Sequence, residues 1–171
     1  MLYTIKKFIA PVTKFLRKTL RTICAVLIAL MTSIVVWGVI TRYIYGEQSV
    51  FTDELARTLL VCLSFFGGAL AFADGVHVGL IFLKEKFSIS SKKVADIIGY
   101  LISLLFVFAV LVCGGIMLIS TSIESSNELI TLPISMWHIY LCVPFSGFFA
   151  SVFLIENIID TLVSPVKKES K

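Results

Sequence analysis

Four long apolar runs constrain this chain more than anything else in it. Residues 23–40, 55–73, 97–120 and 134–155 are each long enough to cross a bilayer, which takes about 20 residues of helix. The first and third carry no charge, the second holds only Arg57 in its first turn, and the fourth holds His138 near its start and Pro144 inside it. A soluble domain devotes about 25% of its residues to Asp, Glu, Lys and Arg. Here the share is 15%, against 58% hydrophobic residues. No water-facing surface can be assembled from that, so a soluble enzyme and a disordered chain are both excluded. The expected fold is an all-α membrane protein with four transmembrane helices.

Lys and Arg in the short flanking segments orient such a bundle. Six precede the first run (Lys6, Lys7, Lys14, Arg17, Lys18, Arg21), four lie between the second and third (Lys84, Lys86, Lys92, Lys93) and three lie in the tail (Lys167, Lys168, Lys171). The other two loops hold only Arg42. Both termini are therefore expected in the cytoplasm. Trp37, Tyr43 and Tyr45, with Trp137 and Tyr140, fit an aromatic belt at the outer interface. No cleaved signal peptide is expected, because the first run is long and no small-x-small pattern follows it.

Residues 1–22 read as a separate element. On a helical wheel the six basic side chains fall within an arc of about 120°, and Leu2, Ile5, Phe8, Ile9, Val12, Phe15, Leu16 and Leu20 fill an opposing arc of about 140°. Such a helix lies flat at the cytoplasmic interface, its Lys and Arg at anionic headgroups. Pro11 is expected to kink or split it. A basic leader that serves only topology is the alternative. Residues 23–163 then make the bundle, and 164–171 a basic cytoplasmic tail.

Gly67, Ala71, Gly75 and Gly79 recur at every fourth position of the second span. Small residues permit close helix approach in lipid, so this stripe is expected to face its own bundle, with another subunit as the alternative. Cys24, Cys62, Cys113 and Cys142 are dispersed through apolar runs and read as buried, inert thiols. No cofactor and no metal site is expected.

An ion-coupled carrier needs ionisable groups or broken helices near the bilayer midplane. The spans have no Asp, Glu or Lys near their centres, and Pro144 with Gly147 is a weak hint of a broken helix. Three other four-helix classes also lack their signatures: the first span has no carboxylate for a small multidrug antiporter, the outer loops no cysteine pairs for a disulfide oxidase, and His77 and His138 lie at opposite ends for a haem anchor. The chain is expected neither to catalyse a reaction nor to transport alone.

Its polar residues gather at two faces. Arg42, Glu47, Asp53, Glu54, Arg57, Glu124 and Glu128 belong to the outer one. Glu54 and Arg57 are spaced i, i+3, and Arg42 is placed to fold back onto Asp53 or Glu54. Two readings stand: a structural ion-pair cluster, or a docking surface for an external partner. On the cytoplasmic face His77 follows the second helix, as a hydrogen-bonding end group or a partner contact. Asp96 is expected to open the third helix at its positive dipole end. Glu156 and Asp160 form an i, i+4 acidic pair, either solvated or binding basic residues of the N-terminal helix or of a partner.

Several segments together resemble a known family. Thr41-Arg42-Tyr43, Phe51-Thr52-Asp53-Glu54-Leu55-Ala56-Arg57, Phe66-Gly67-Gly68-Ala69-Leu70-Ala71-Phe72 and Gly75-Val76-His77-Val78 are similar to the DctQ-like small membrane subunit of tripartite ATP-independent periplasmic (TRAP) transporters. So are Leu132-Pro133-Ile134-Ser135-Met136-Trp137, Tyr140 and Pro144. Phe51 and Asp53 depart from the Trp and Glu common in the family. Within it the chain looks most like the sialic acid transporters. The resemblance implies a periplasmic substrate-binding protein, met transiently, and a large membrane subunit that forms a stable heterodimer with this chain. The large subunit would hold the sodium and substrate sites and move substrate by an elevator motion. This chain is then a non-catalytic scaffold in the bacterial inner membrane that helps form the docking face. The substrate implied is sialic acid (N-acetylneuraminate) or another organic acid. A membrane assembly factor not retained in the working transporter is the alternative.

Overall fold

The computed structural model describes residues 2–46, 50–74, 89–125 and 135–163, with the side chains of 2–9, 45 and 89–93 outside the description. Four helical stretches among them are long and apolar enough to cross a membrane: Ala10–Ile44, Val50–Ala73, Val94–Glu124 and Met136–Val163. All exceed the apolar runs read from the sequence, because polar residues at their ends continue the helices.

Helix α1 (Leu2–Tyr45) is one element of 44 residues with Pro11 inside it. The boundary expected near residue 22 and the split expected at Pro11 are not breaks in the helix. One proline removes a single backbone donor, and residues 12–37 contain no further proline or glycine to stop propagation. At 1.5 Å per residue α1 is ~66 Å long, about twice a hydrocarbon core. It ends at Gly46, whose φ of 76° is the left-handed conformation of a glycine cap and whose N–H donates to the Arg42 carbonyl at 3.0 Å.

Helix α2 (Val50–Ala73) starts with Asp53 in its first turn, where a carboxylate favours the helix dipole. The third span joins α3 (Ile89–Phe106), a π-helical segment (Val107–Gly114) and α4 (Gly115–Glu124). Because α3 begins at Ile89, Asp96 lies two turns inside it. The expectation that Asp96 opens this helix is therefore wrong, since dipole stabilisation fades after the first turn.

The fourth span is α5 (Met136–Tyr140) followed by α6 (Cys142–Val163). Pro144 has no N–H to offer the Tyr140 carbonyl, and the helix is interrupted at Leu141. The flanking bonds Leu141 N–H to Trp137 O (3.2 Å) and Phe145 N–H to Leu141 O (3.3 Å) carry the chain across the defect.

Helix α6 is the hub, touching α1, α2, α3 and the π segment. In the fourth span 39% of the most apolar window is buried, against 6–11% in the others. Ala150, Phe153 and Leu154 of α6 meet Leu20 of α1, Ala69 and Ala73 of α2, and Tyr100 and Val107 of the third span. Large residues such as Trp37, Leu105, Phe108, Met117 and Phe148 point outward. In lipid that arrangement carries no hydrophobic penalty, so association rests on packing. Several hydroxyls inside the spans are satisfied locally: Thr32 donates to Ile28 O, Ser33 to Ala29 O and Ser64 to Leu60 O, each at 2.8 Å.

Candidate functional site

Two glycines meet bulky neighbours at close helix contacts. A Cβ on Gly147 would stand 2.8 Å from Leu111 Cβ and 3.3 Å from the Leu111 backbone carbon. One on Gly115 would stand 3.0 Å from Pro144 Cδ and 3.1 Å from Pro144 N. The π segment thus packs into a notch of α6, and Pro144 into a notch at the start of α4. The stripe singled out in the sequence behaves otherwise. Added Cβ atoms at Gly67 and at Gly68 meet nothing within 4 Å, and Ala71 is exposed. Ala69 and Ala73 are the small residues of α2 that face the bundle. The expectation that Gly67 and Ala71 pack inside their own bundle is corrected accordingly: α2 is rotated so that 66, 69, 70 and 73 point inward. Gly75 and Gly79 lie outside the described residues.

At the basic end of the bundle a polar network ties α1, α2 and α6 together. Buried Thr13 donates to Glu156 Oε1 at 2.7 Å and is within 3.2 Å of Ala10 O. Arg17 reaches Glu156 Oε2 at 3.3 Å and Asp74 Oδ1 at 3.9 Å, and Arg21 reaches the same Asp74 oxygen at 3.5 Å. The Arg17 guanidinium also stands over the Phe153 ring, 5.9 Å from its centroid. Two cations and two carboxylates balance, which lets Glu156 sit with only 16% of its side chain exposed. Asn157 donates to the Phe72 carbonyl at 2.8 Å, which ties α6 to the last turn of α2. Arg17 and Arg21 therefore face carboxylates of the bundle, while Lys14 and Lys18 are exposed. Asp160 is half-buried one turn beyond Glu156. The Lys6 and Lys7 side chains and His77 lie outside the description.

The opposite end carries the expected outer cluster. Asp53 accepts from Arg57 Nε at 2.9 Å, an i, i+4 pair, so Arg57 takes Asp53 rather than Glu54. Both partners are largely exposed, which limits the pair to about 0.3–0.5 kcal/mol. Among the described residues no bond runs from the Arg42 side chain to Asp53 or Glu54, and Arg42 is exposed one helix away. Asp53, Glu54 and Arg57 rim a cavity of about 470 Å³ whose floor includes Val61, Ile139 and Tyr140. Glu124 is exposed at the end of α4. Glu47 and Glu128 lie outside the described residues.

Cys62 of α2 and Cys142 of α6 are neighbours, so two of the four dispersed cysteines are brought together. Among the described residues no group of three His, Cys, Asp or Glu is placed to hold a metal. Thr13, Gly115 and Asn157 escaped the sequence reading, and Gly147 entered it only beside Pro144 as a hint of a broken helix. An amide directly after Glu156 and the Gly114-Gly115 doublet were the available signals.

Comparison with known proteins places the chain beside small membrane subunits of one transporter family. A sialic acid TRAP transporter small permease protein, SiaQ of Vibrio cholerae, is 28% identical over 157 residues, covering 87% of each chain. A Haemophilus influenzae protein provisionally assigned as a TRAP transporter small permease is 25% identical over 157 residues, 92% of this chain and 96% of its own. The profile of the DctQ component of tripartite ATP-independent periplasmic transporters matches residues 31–163. The chain belongs to the DctQ family, the small permease subunits of TRAP transporters, and is a multi-pass protein of the inner membrane.

Proposed function

We propose that this subunit is a non-catalytic scaffold for the large transport subunit of a sodium-coupled TRAP system, with both termini in the cytoplasm. The observation that carries the reading is the separation of charge from the membrane interior. Among the described residues, 22–41, 58–73, 97–123 and 139–155 contain no Asp, Glu, Lys or Arg, and the ion pairs lie at the two ends. A bundle built that way offers surfaces and rigidity, and leaves substrate and sodium coordination to its partner. The long α1, with Lys6, Lys7, Lys14, Arg17, Lys18 and Arg21 in its first half, anchors the subunit at the cytoplasmic headgroups.

The outer rim of Asp53, Glu54 and Arg57 forms part of the docking face for the periplasmic substrate-binding protein, with Arg42, Glu47, Glu124 and Glu128 around it. Its exposed charges suit steering and register more than affinity. The similarity to SiaQ favours sialic acid, or another organic acid, as the substrate.

The test is sodium-driven uptake in proteoliposomes containing the large subunit and the binding protein, with and without this chain. Uptake that depends on a one-to-one complex supports the scaffold. Full uptake without the chain refutes it and favours an assembly factor. Charge reversal at Asp53 and Glu54 that lowers uptake while leaving the complex intact supports docking; loss of the complex assigns the rim to structure.

A further inference from the structure

The exposed face of α1 carries a feature that gives the headgroup anchoring proposed above, on which it rests, a defined site. Lys18, Arg21, Thr22, Ala25, Val26 and Ala29 line an open trough of about 390 Å³ along the helix. The trough is chemically graded. Both cations sit at one end, and beyond Thr22, whose hydroxyl is spent on the Lys18 carbonyl at 3.0 Å, the surface is wholly aliphatic. Ala25 and Ala29 make its floor, while exposed Val26 and Leu30 stand beside them.

We propose that this trough is a binding site for one anionic phospholipid, its phosphate at Lys18 and Arg21 and one acyl chain laid over Ala25 and Ala29. Three observations carry it. The first is charge. Lys18 is exposed, and Arg21, although it reaches Asp74 at 3.5 Å, keeps 64% of its side chain open to bind outward. The second is depth. The network of Arg17, Arg21, Asp74 and Glu156 marks the level at which the bundle meets water and headgroups, and the cations of the trough stand at that level. The third is length. From Lys18 to Ala29 the helix rises ~16 Å, about half of a 30 Å hydrocarbon core and so the reach of one leaflet. A protein helix lying in the same groove would set its own apolar side chains against two cations, whereas a phospholipid matches both ends.

The site rests on the cytoplasmic placement of the N-terminus, so the experiment separates the two claims. The complex is reconstituted in nanodiscs of phosphatidylethanolamine and phosphatidylglycerol, and lipid retained after gentle detergent release is measured by native mass spectrometry. One phosphatidylglycerol is expected to stay bound per chain in preference to phosphatidylethanolamine. K18Q is expected to weaken it about fivefold, the effect of one basic residue at a membrane surface. A25L with A29L fills the trough from exposed positions and is expected to remove the lipid with the thermal midpoint unchanged. Equal retention of the two lipids, or no change in either variant, overturns the site. So does a trough-filling variant that releases the large subunit and keeps its lipid. Separately, K14C is probed with a membrane-impermeant maleimide in intact spheroplasts: labelling from outside overturns the topology, and protection with no bound lipid overturns the lipid site alone.

Discussion

The notch at Gly147 offers a test in which one methyl group measures helix packing. An alanine there places its Cβ 2.8 Å from Leu111 Cβ, 3.1 Å from Val112 Cγ2 and 3.3 Å from a backbone carbon. Leu111 Cβ and the backbone cannot swing aside as the tip of a long side chain does, so α6 and the π segment must separate. Overpacking of this kind costs about 1–3 kcal/mol. Replacing a helical glycine by alanine also gains about 0.8–1 kcal/mol of helix propensity, which hides part of the loss. Gly67→Ala supplies the reference, because its new Cβ meets nothing within 4 Å. The propensity term is common to both, so the difference between the variants isolates the packing term, about 1–3 kcal/mol. Equilibrium unfolding of the purified subunit in detergent reads it: G147A falls below G67A by that amount. Equal midpoints, or the reverse order, refute the packing assigned to these helices.

Three further outcomes follow from the polar contacts. Glu156→Gln removes the charge facing Arg17 while keeping an acceptor for Thr13, and is expected to destabilise the bundle by more than the ~1 kcal/mol of an exposed pair and less than the ~3–5 kcal/mol of a fully buried one. Reduced unfolding free energy in detergent, partly restored by the further change Arg17→Gln, checks it. Asn157→Ala removes the hydrogen bond to the Phe72 carbonyl and is expected to cost about 0.5–1.5 kcal/mol, with faster hydrogen exchange confined to the last turn of α2. Because Cys62 and Cys142 are neighbours across α2 and α6, mild copper-catalysed oxidation is expected to join them within one chain. Peptide mapping that finds both thiols free, or either one joined to Cys24 or Cys113, contradicts the register of these helices.

Much of this molecule is legible in the order of its residues. Bilayer thickness requires about 20 apolar residues per crossing, so 23–40, 55–73, 97–120 and 134–155 announce four helices without reference to neighbours. The pairing of Asp53 with Arg57 is a local i, i+4 matter, and the clustering of charge at the ends follows from the cost of charge in hydrocarbon. What the sequence left undecided is rotation and depth, because lipid accepts an apolar side chain on any face of a helix and supplies no inside-out pattern to read. Hence Gly67 and Ala71 were expected inside and stand outside, while Gly115 and Gly147, unremarkable as packing residues in the sequence, accept Pro144 and Leu111. The meeting of Thr13 and Arg17 with Glu156, some 140 residues apart, exists only because α1 and α6 lie side by side in the folded bundle. Local chemistry and membrane thickness determined which segments are helices and where their charges end; contact between helices, a property of no single segment, decided which faces meet.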